Sequence, residues 1–106
     1  AREMSPVLLR IKRAVLAGRY VFSEKARLEM EADRLTELDV AESILNAETI
    51  SKSIRSTSPL RRRSRERLHI IHSANLTGLL IYSKGKLASE AGVEVYYFLV
   101  SAKRLL

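Results

Sequence analysis

Two apolar runs in the second half of the chain end in cations beside tyrosines. Leu79–Tyr82 opens into Ser83, Lys84 and, past Gly85, Lys86; Tyr96–Val100 leads into Ser101, Ala102, Lys103 and Arg104. Side chains two apart on a strand share a face. Leu80, Tyr82 and Lys84 are therefore expected on one face of their strand. Tyr97, Leu99 and Lys103 are expected on one face of the last strand, with Arg104 on the other. Upstream, Ile50, Lys52 and Ile54 alternate in the same way. Burying an unpaired ammonium costs several kcal/mol, so Lys52 must snorkel from an edge strand to water or sit in a cleft that takes an anion. The two histidines, His69 and His72, fall on opposite faces of a strand. Either is a proton shuttle by residue type or a cross-strand histidine satisfied by hydrogen bonds.

These residues limit the chemistry. The chain has no cysteine, which excludes disulfides and thiolate-bound metals. Two histidines without metal-ligand spacing or a nearby acidic cluster make a poor metal site, and no metal or other cofactor is expected. No Ser-His-Asp order, phosphate loop or dinucleotide fingerprint occurs. The half that carries the cations has no paired carboxylates. Lys, Arg, His and Tyr alone suit one reaction class, metal-free cleavage of RNA by its own 2′-hydroxyl. A base takes the 2′ proton, cations stabilise the phosphorane, and an acid protonates the leaving 5′-oxygen.

The elements that must position these side chains follow from pattern. The 106 residues allow one domain, 1–106, with one core. Ser5-Pro6 reads as an N-cap and first helical position, with Leu8, Ile11 and Val15 at helical spacing until Gly18. "RYVFS" is expected as an extended link. Ser23 caps a second helix, and Thr36 with Asp39 forms a capping box for a third that ends near Asn46. Strands are expected at Ile50–Ile54, Leu68–His72, Leu79–Lys84 and Val93–Ser101. "SANLTG" is expected as one turn and "GKLASEAG" as another. Three helices followed by three or four strands imply an α+β fold, with the helices on one face of an antiparallel sheet.

Charge divides along the same line. Net charge is +7; residues 1–50 are net −1 and residues 51–106 net +8. A one-sided basic surface points to a polyanion, nucleic acid foremost, although a solvated basic face would look the same. The run Arg61, Arg62, Arg63, Arg65, Arg67 has no catalytic geometry and suits salt-dependent attraction to phosphate or to an acidic partner.

The pieces "IKRAVLAG", "ISKSI", "LTG" before "LLIYSK", and "FLVSAKR", in this order from about Leu8 to Arg104, resemble the MqsR-type toxins within the RelE-like mRNA interferases of bacterial type II toxin–antitoxin pairs. The resemblance implies a small α+β domain with a curved antiparallel sheet that cuts messenger RNA without a metal. It also implies neutralisation by an antitoxin with a zinc-binding part and a helix-turn-helix part, and leaves any dependence on the ribosome open. Carried over by motif, Lys52, Tyr82 and Lys103 are expected as catalytic residues. His69 is expected where the family has a glutamine. In that scheme Lys52 and Lys103 charge the phosphorane, Tyr82 stacks or donates, and His69 is base or acid. Arg55, Arg67, Lys84 and Arg104 hold the RNA backbone. The rival readings are a non-catalytic RNA- or partner-binding module on the same scaffold, and a DNA-binding accessory domain, which the net acidic helical half disfavours. No apolar run approaches the roughly 18–20 residues of a membrane span, and "AREMSPVLL" lacks a signal-peptide layout. A cytoplasmic, prokaryotic protein is expected.

Overall fold

The computed structural model describes residues 4–55 and 67–106. The arginine run from Arg61 to Arg65 lies outside them. In chain order the elements are α1 (Pro6–Leu16), β1 (Tyr20–Phe22), α2 (Glu24–Ala32), α3 (Glu37–Asn46), β2 (Lys52–Arg55), β3 (Arg67–Ala74), β4 (Leu80–Glu90) and β5 (Val93–Arg104). The fold is α+β. The described strands form one sheet in the order β1-β5-β4-β3-β2, antiparallel except where β1 runs parallel to β5.

Each helix starts on the cap its sequence announces. Ser5 Oγ accepts from Leu8 N at 3.1 Å and Ser23 Oγ from Ala26 N at 3.0 Å. Thr36 and Asp39 exchange both bonds of a capping box. Such caps each contribute about 1 kcal/mol by satisfying orphan N–H groups. The helices bury Leu8, Ile11, Val15, Met30, Val40 and Ile44 against Ile71, Ile81, Tyr97 and Leu99 of the sheet. Fully burying an aliphatic side chain of this kind contributes about 1.5–3 kcal/mol, so this single layer of contact holds the helices to one face. Lys12 reaches beneath α3, its Nζ donating to the carbonyls of Leu45 and Ala47. Burial lowers its pKa, and Glu48 only partly offsets that.

Two expectations about elements are corrected. "RYVFS" is not a free link: Tyr20–Phe22 pairs with Tyr97–Leu99 and closes one edge of the sheet. Tyr97 N donates to Arg19 O and Ser23 N to Leu99 O, extending the ladder at both ends. "GKLASEAG" is not a turn. β4 runs through it to Glu90, and only Ala91 and Gly92 turn the chain, with φ of 52° and 81°. Two successive positive φ values are what a tight hairpin joining right-twisted strands requires. Gly85 then lies inside β4, where a Cβ would stand 2.7 Å from Tyr97 Cζ and 2.8 Å from Phe98 O. It is glycine because the Tyr97 ring crosses there.

Candidate functional site

The β3–β4 turn sets the register on which everything else depends. Asn75 is buried, and its Oδ1 accepts from Thr77 N, Thr77 Oγ1 and Leu79 N. Its Nδ2 donates to Asp39 Oδ1 at 3.1 Å, tying the turn to the α3 cap. The Asp39 carboxyl is held below its usual pKa, first by the Thr36 backbone N–H. This turn places His72 opposite Tyr82 and Ile70 opposite Lys84. β2 adds Lys52 opposite Ile70, and β5 adds Lys103 opposite Tyr82.

Two cross-strand rows result on the face opposite the core residues Ile71, Ile81 and Leu99. One runs Lys52–Ile70–Lys84 and the other His72–Tyr82–Lys103. Residues opposite one another on paired strands present neighbouring side chains. In the second row the His72 and Tyr82 rings lie 5.5 Å apart between centroids, and Lys103 Nζ stands 5.2 Å from the Tyr82 ring centre. Such a cation over an aromatic face is weakly attractive. Among the described residues none of Lys52, Lys84 and Lys103 has a carboxylate partner. Three ammoniums on one face repel one another only weakly through water and make that face locally positive. A cavity of about 590 Å³ adjoins Tyr82 and Lys103, walled by Asp33, Arg104, Leu105 and Leu106.

Lys103 reaches this face through a defect in the ladder. Lys84 pairs with Ser101 but Gly85 pairs with Leu99, so β5 carries one extra residue, Val100. A bulge of this kind slips the alternation by one. Leu99 and Tyr97 therefore point into the core while Lys103 points away from it, contrary to the simple alternation that grouped the three. Arg104, opposite Ile81, shares the helix side.

His69 does not join the other three expected catalytic residues. It is 8% exposed, on the helix side of β3, opposite Ser53 and Gly85. Its Nδ1 is 2.8 Å from Ser53 Oγ. Burial, then the positive charges of Arg10 and Arg67, lower its pKa and favour a neutral ring. The sheet stands between it and Tyr82, because His69 and His72 differ by an odd number of positions. Of the expected backbone-holding residues only Lys84 lies on the open face. Arg55 pairs with Arg67, and both, like Arg104, are exposed and carry the parity of the helix side.

His72, weighed from the sequence as one of two candidate proton shuttles but not among the expected catalytic residues, is the histidine that lies beside Tyr82. Its signal was present in the parity of the two histidines, but choosing between them required the Tyr82 register. No helix among the described residues is long and apolar enough to cross a membrane. No protein-family model, curated protein or solved structure matches the chain.

Proposed function

We propose that the protein is a metal-independent endoribonuclease of the RelE-like type, the toxin of an MqsR-like toxin–antitoxin pair, working on the open face of its sheet. The observation that carries this reading is the His72–Tyr82–Lys103 row beside the unpaired Lys52 and Lys84. The row holds a proton-transfer group at one end and a cation at the other. His72 takes the proton of the 2′-hydroxyl as O2′ attacks phosphorus. The P–O5′ bond breaks, and Lys103 donates to the departing 5′-oxygen and neutralises the phosphorane. Tyr82 holds the nucleotide between them by its ring or hydroxyl. Lys52 and Lys84 hold the flanking phosphates. The products are a 2′,3′-cyclic phosphate and a 5′-hydroxyl. Messenger RNA is the substrate in this scheme, and an antitoxin with zinc-binding and helix-turn-helix parts is the partner that the resemblance implies.

The test is digestion of a mixed-sequence RNA by the purified protein in excess EDTA, with mapping of the product ends. Cuts bearing those two ends are expected. Salt-sensitive binding without cuts, also after addition of ribosomes, would overturn the catalytic reading in favour of a binding module.

A further inference from the structure

On the helix side a second group of cations converges on a place the open face does not use. Arg10 and Arg13 of α1 and Arg19 beyond it line a cavity of about 250 Å³ with Leu87, Glu94 and Tyr96 of the β4–β5 hairpin. Arg10 Nε meets Glu94 Oε1 at 3.3 Å, with both side chains partly exposed. Among the described residues neither Arg13 nor Arg19 has a carboxylate partner. Three guanidiniums thus face one carboxylate in a small space. The core beneath does not require them, since Arg10, Arg13 and Arg19 are exposed while their neighbours Ile11, Ala14 and Val15 are the buried ones.

Guanidinium is the side chain whose planar fork fits a phosphate through two parallel hydrogen bonds. The cations of the open rows are all lysines, which act as point charges; those of this cavity are all arginines. The volume is below that of drug-sized pockets, which suits a single small unit rather than a stretch of chain.

We propose that the cavity between α1 and the β4–β5 hairpin is a second anion site that takes one phosphate group on Arg13 and Arg19. Arg10, already held by Glu94, closes the side of the site. The sheet separates it from the His72–Tyr82–Lys103 row, so the site stands whether or not that row cuts RNA. The phosphate belongs either to a free nucleotide or to one residue of an RNA strand.

Calorimetric titration of the full chain separates these cases. The probes are adenosine and uridine 5′-monophosphates, adenosine, inorganic phosphate, and a 2′-O-methyl oligoribonucleotide that cannot be cleaved. Saturable binding of a phosphate-bearing probe, absent for adenosine, is expected. It should weaken at least tenfold in Arg13→Ala/Arg19→Ala, with the variant folded by circular dichroism. Arg19→Glu, a single exposed change, replaces the double variant if that does not fold. Monophosphate binding identifies a free nucleotide, and arginine-dependent binding of the oligonucleotide alone identifies a strand. No binding of any phosphate probe, or binding indifferent to Arg13 and Arg19, overturns the proposal.

Discussion

An imidazole on the open face of a sheet and one beneath the helices meet different demands, although His72 and His69 lie three residues apart on β3. His72 stands beside Tyr82, exposed to whatever docks there. His69 spends a ring nitrogen on Ser53, and burial, then two arginines, lower its pKa. His72→Gln is accordingly expected to cut RNA at least 100-fold more slowly, the scale of lost general acid–base catalysis. His69→Gln should keep near-normal cleavage and lose stability instead; the reverse pattern in single-turnover assays would move the active site to the helix side. Lys103→Ala removes the cation at the other end of the row. A loss of about 10²–10³ in rate is expected, as for a single donor that stabilises transition-state charge, with an unchanged melting curve. Full residual activity would remove Lys103 from the mechanism.

At the scale of elements, the last strand is where the site is aimed, and two contacts hold it. Gly85 lets the Tyr97 ring cross β4 with nothing between. Gly85→Ala forces a Cβ into a buried ring and a backbone carbonyl, and overpacking of this kind costs about 1–3 kcal/mol. Urea denaturation should show that loss, and unchanged stability would mean that the β4–β5 pair repacks freely. At the other contact, the Glu29 carboxylate of α2 accepts from Ser101 Oγ at 2.6 Å and from Ala102 N at 3.2 Å, and Asp33 accepts from Arg104 N at 2.8 Å. The bulged end of β5, with Lys103 between these bonds, is thereby clamped to α2. Burial alone would raise the Glu29 pKa, but the bonds from Ser101, Lys25 and Ala102 outweigh it and hold the carboxyl below its ordinary value. A carboxyl lowered on folding stabilises fully above its unfolded pKa of about 4.3 and loses that contribution as pH falls through the lower folded value. Melting temperatures between pH 6 and 3 should therefore fall less steeply in Glu29→Gln than in the parent chain. Parallel slopes would show that the clamp is not electrostatic.

At the scale of the molecule, one face of the sheet is covered by helices and the other is left to lysines. An RNA strand on the open face would displace counterions in proportion to the phosphates neutralised, by about 0.7 in log–log salt slope per contact for single strands. Lys52→Ala/Lys84→Ala should weaken binding of a non-cleavable RNA across sequences and reduce that slope by about one to one and a half. An unchanged slope would place the RNA elsewhere. The net charge of +8 in residues 51–106 is consistent with such a track, yet among the described residues the cations lie on both faces: Lys52, Lys84 and Lys103 on one, Arg55, Arg67 and Arg104 on the other.

Local signals in the chain were enough for the helices, because caps act through hydrogen bonds between residues three apart: Ser5 to Leu8, Ser23 to Ala26, Thr36 to Asp39. They were enough too for the α+β class and for the shared face of Tyr82 and Lys84, whose strand alternates through that stretch. The edge strand Tyr20–Phe22 was not legible, since three residues carry no period and their partner lies more than seventy positions away. Nor was the face of Lys103, because one inserted residue at Val100 reverses the parity that alternation extends along a strand. The face on which each histidine lies was likewise decided by pairing. A strand's two faces are equivalent until helices cover one of them, and only the tertiary structure decides which histidine is left outside with the tyrosine and the lysine.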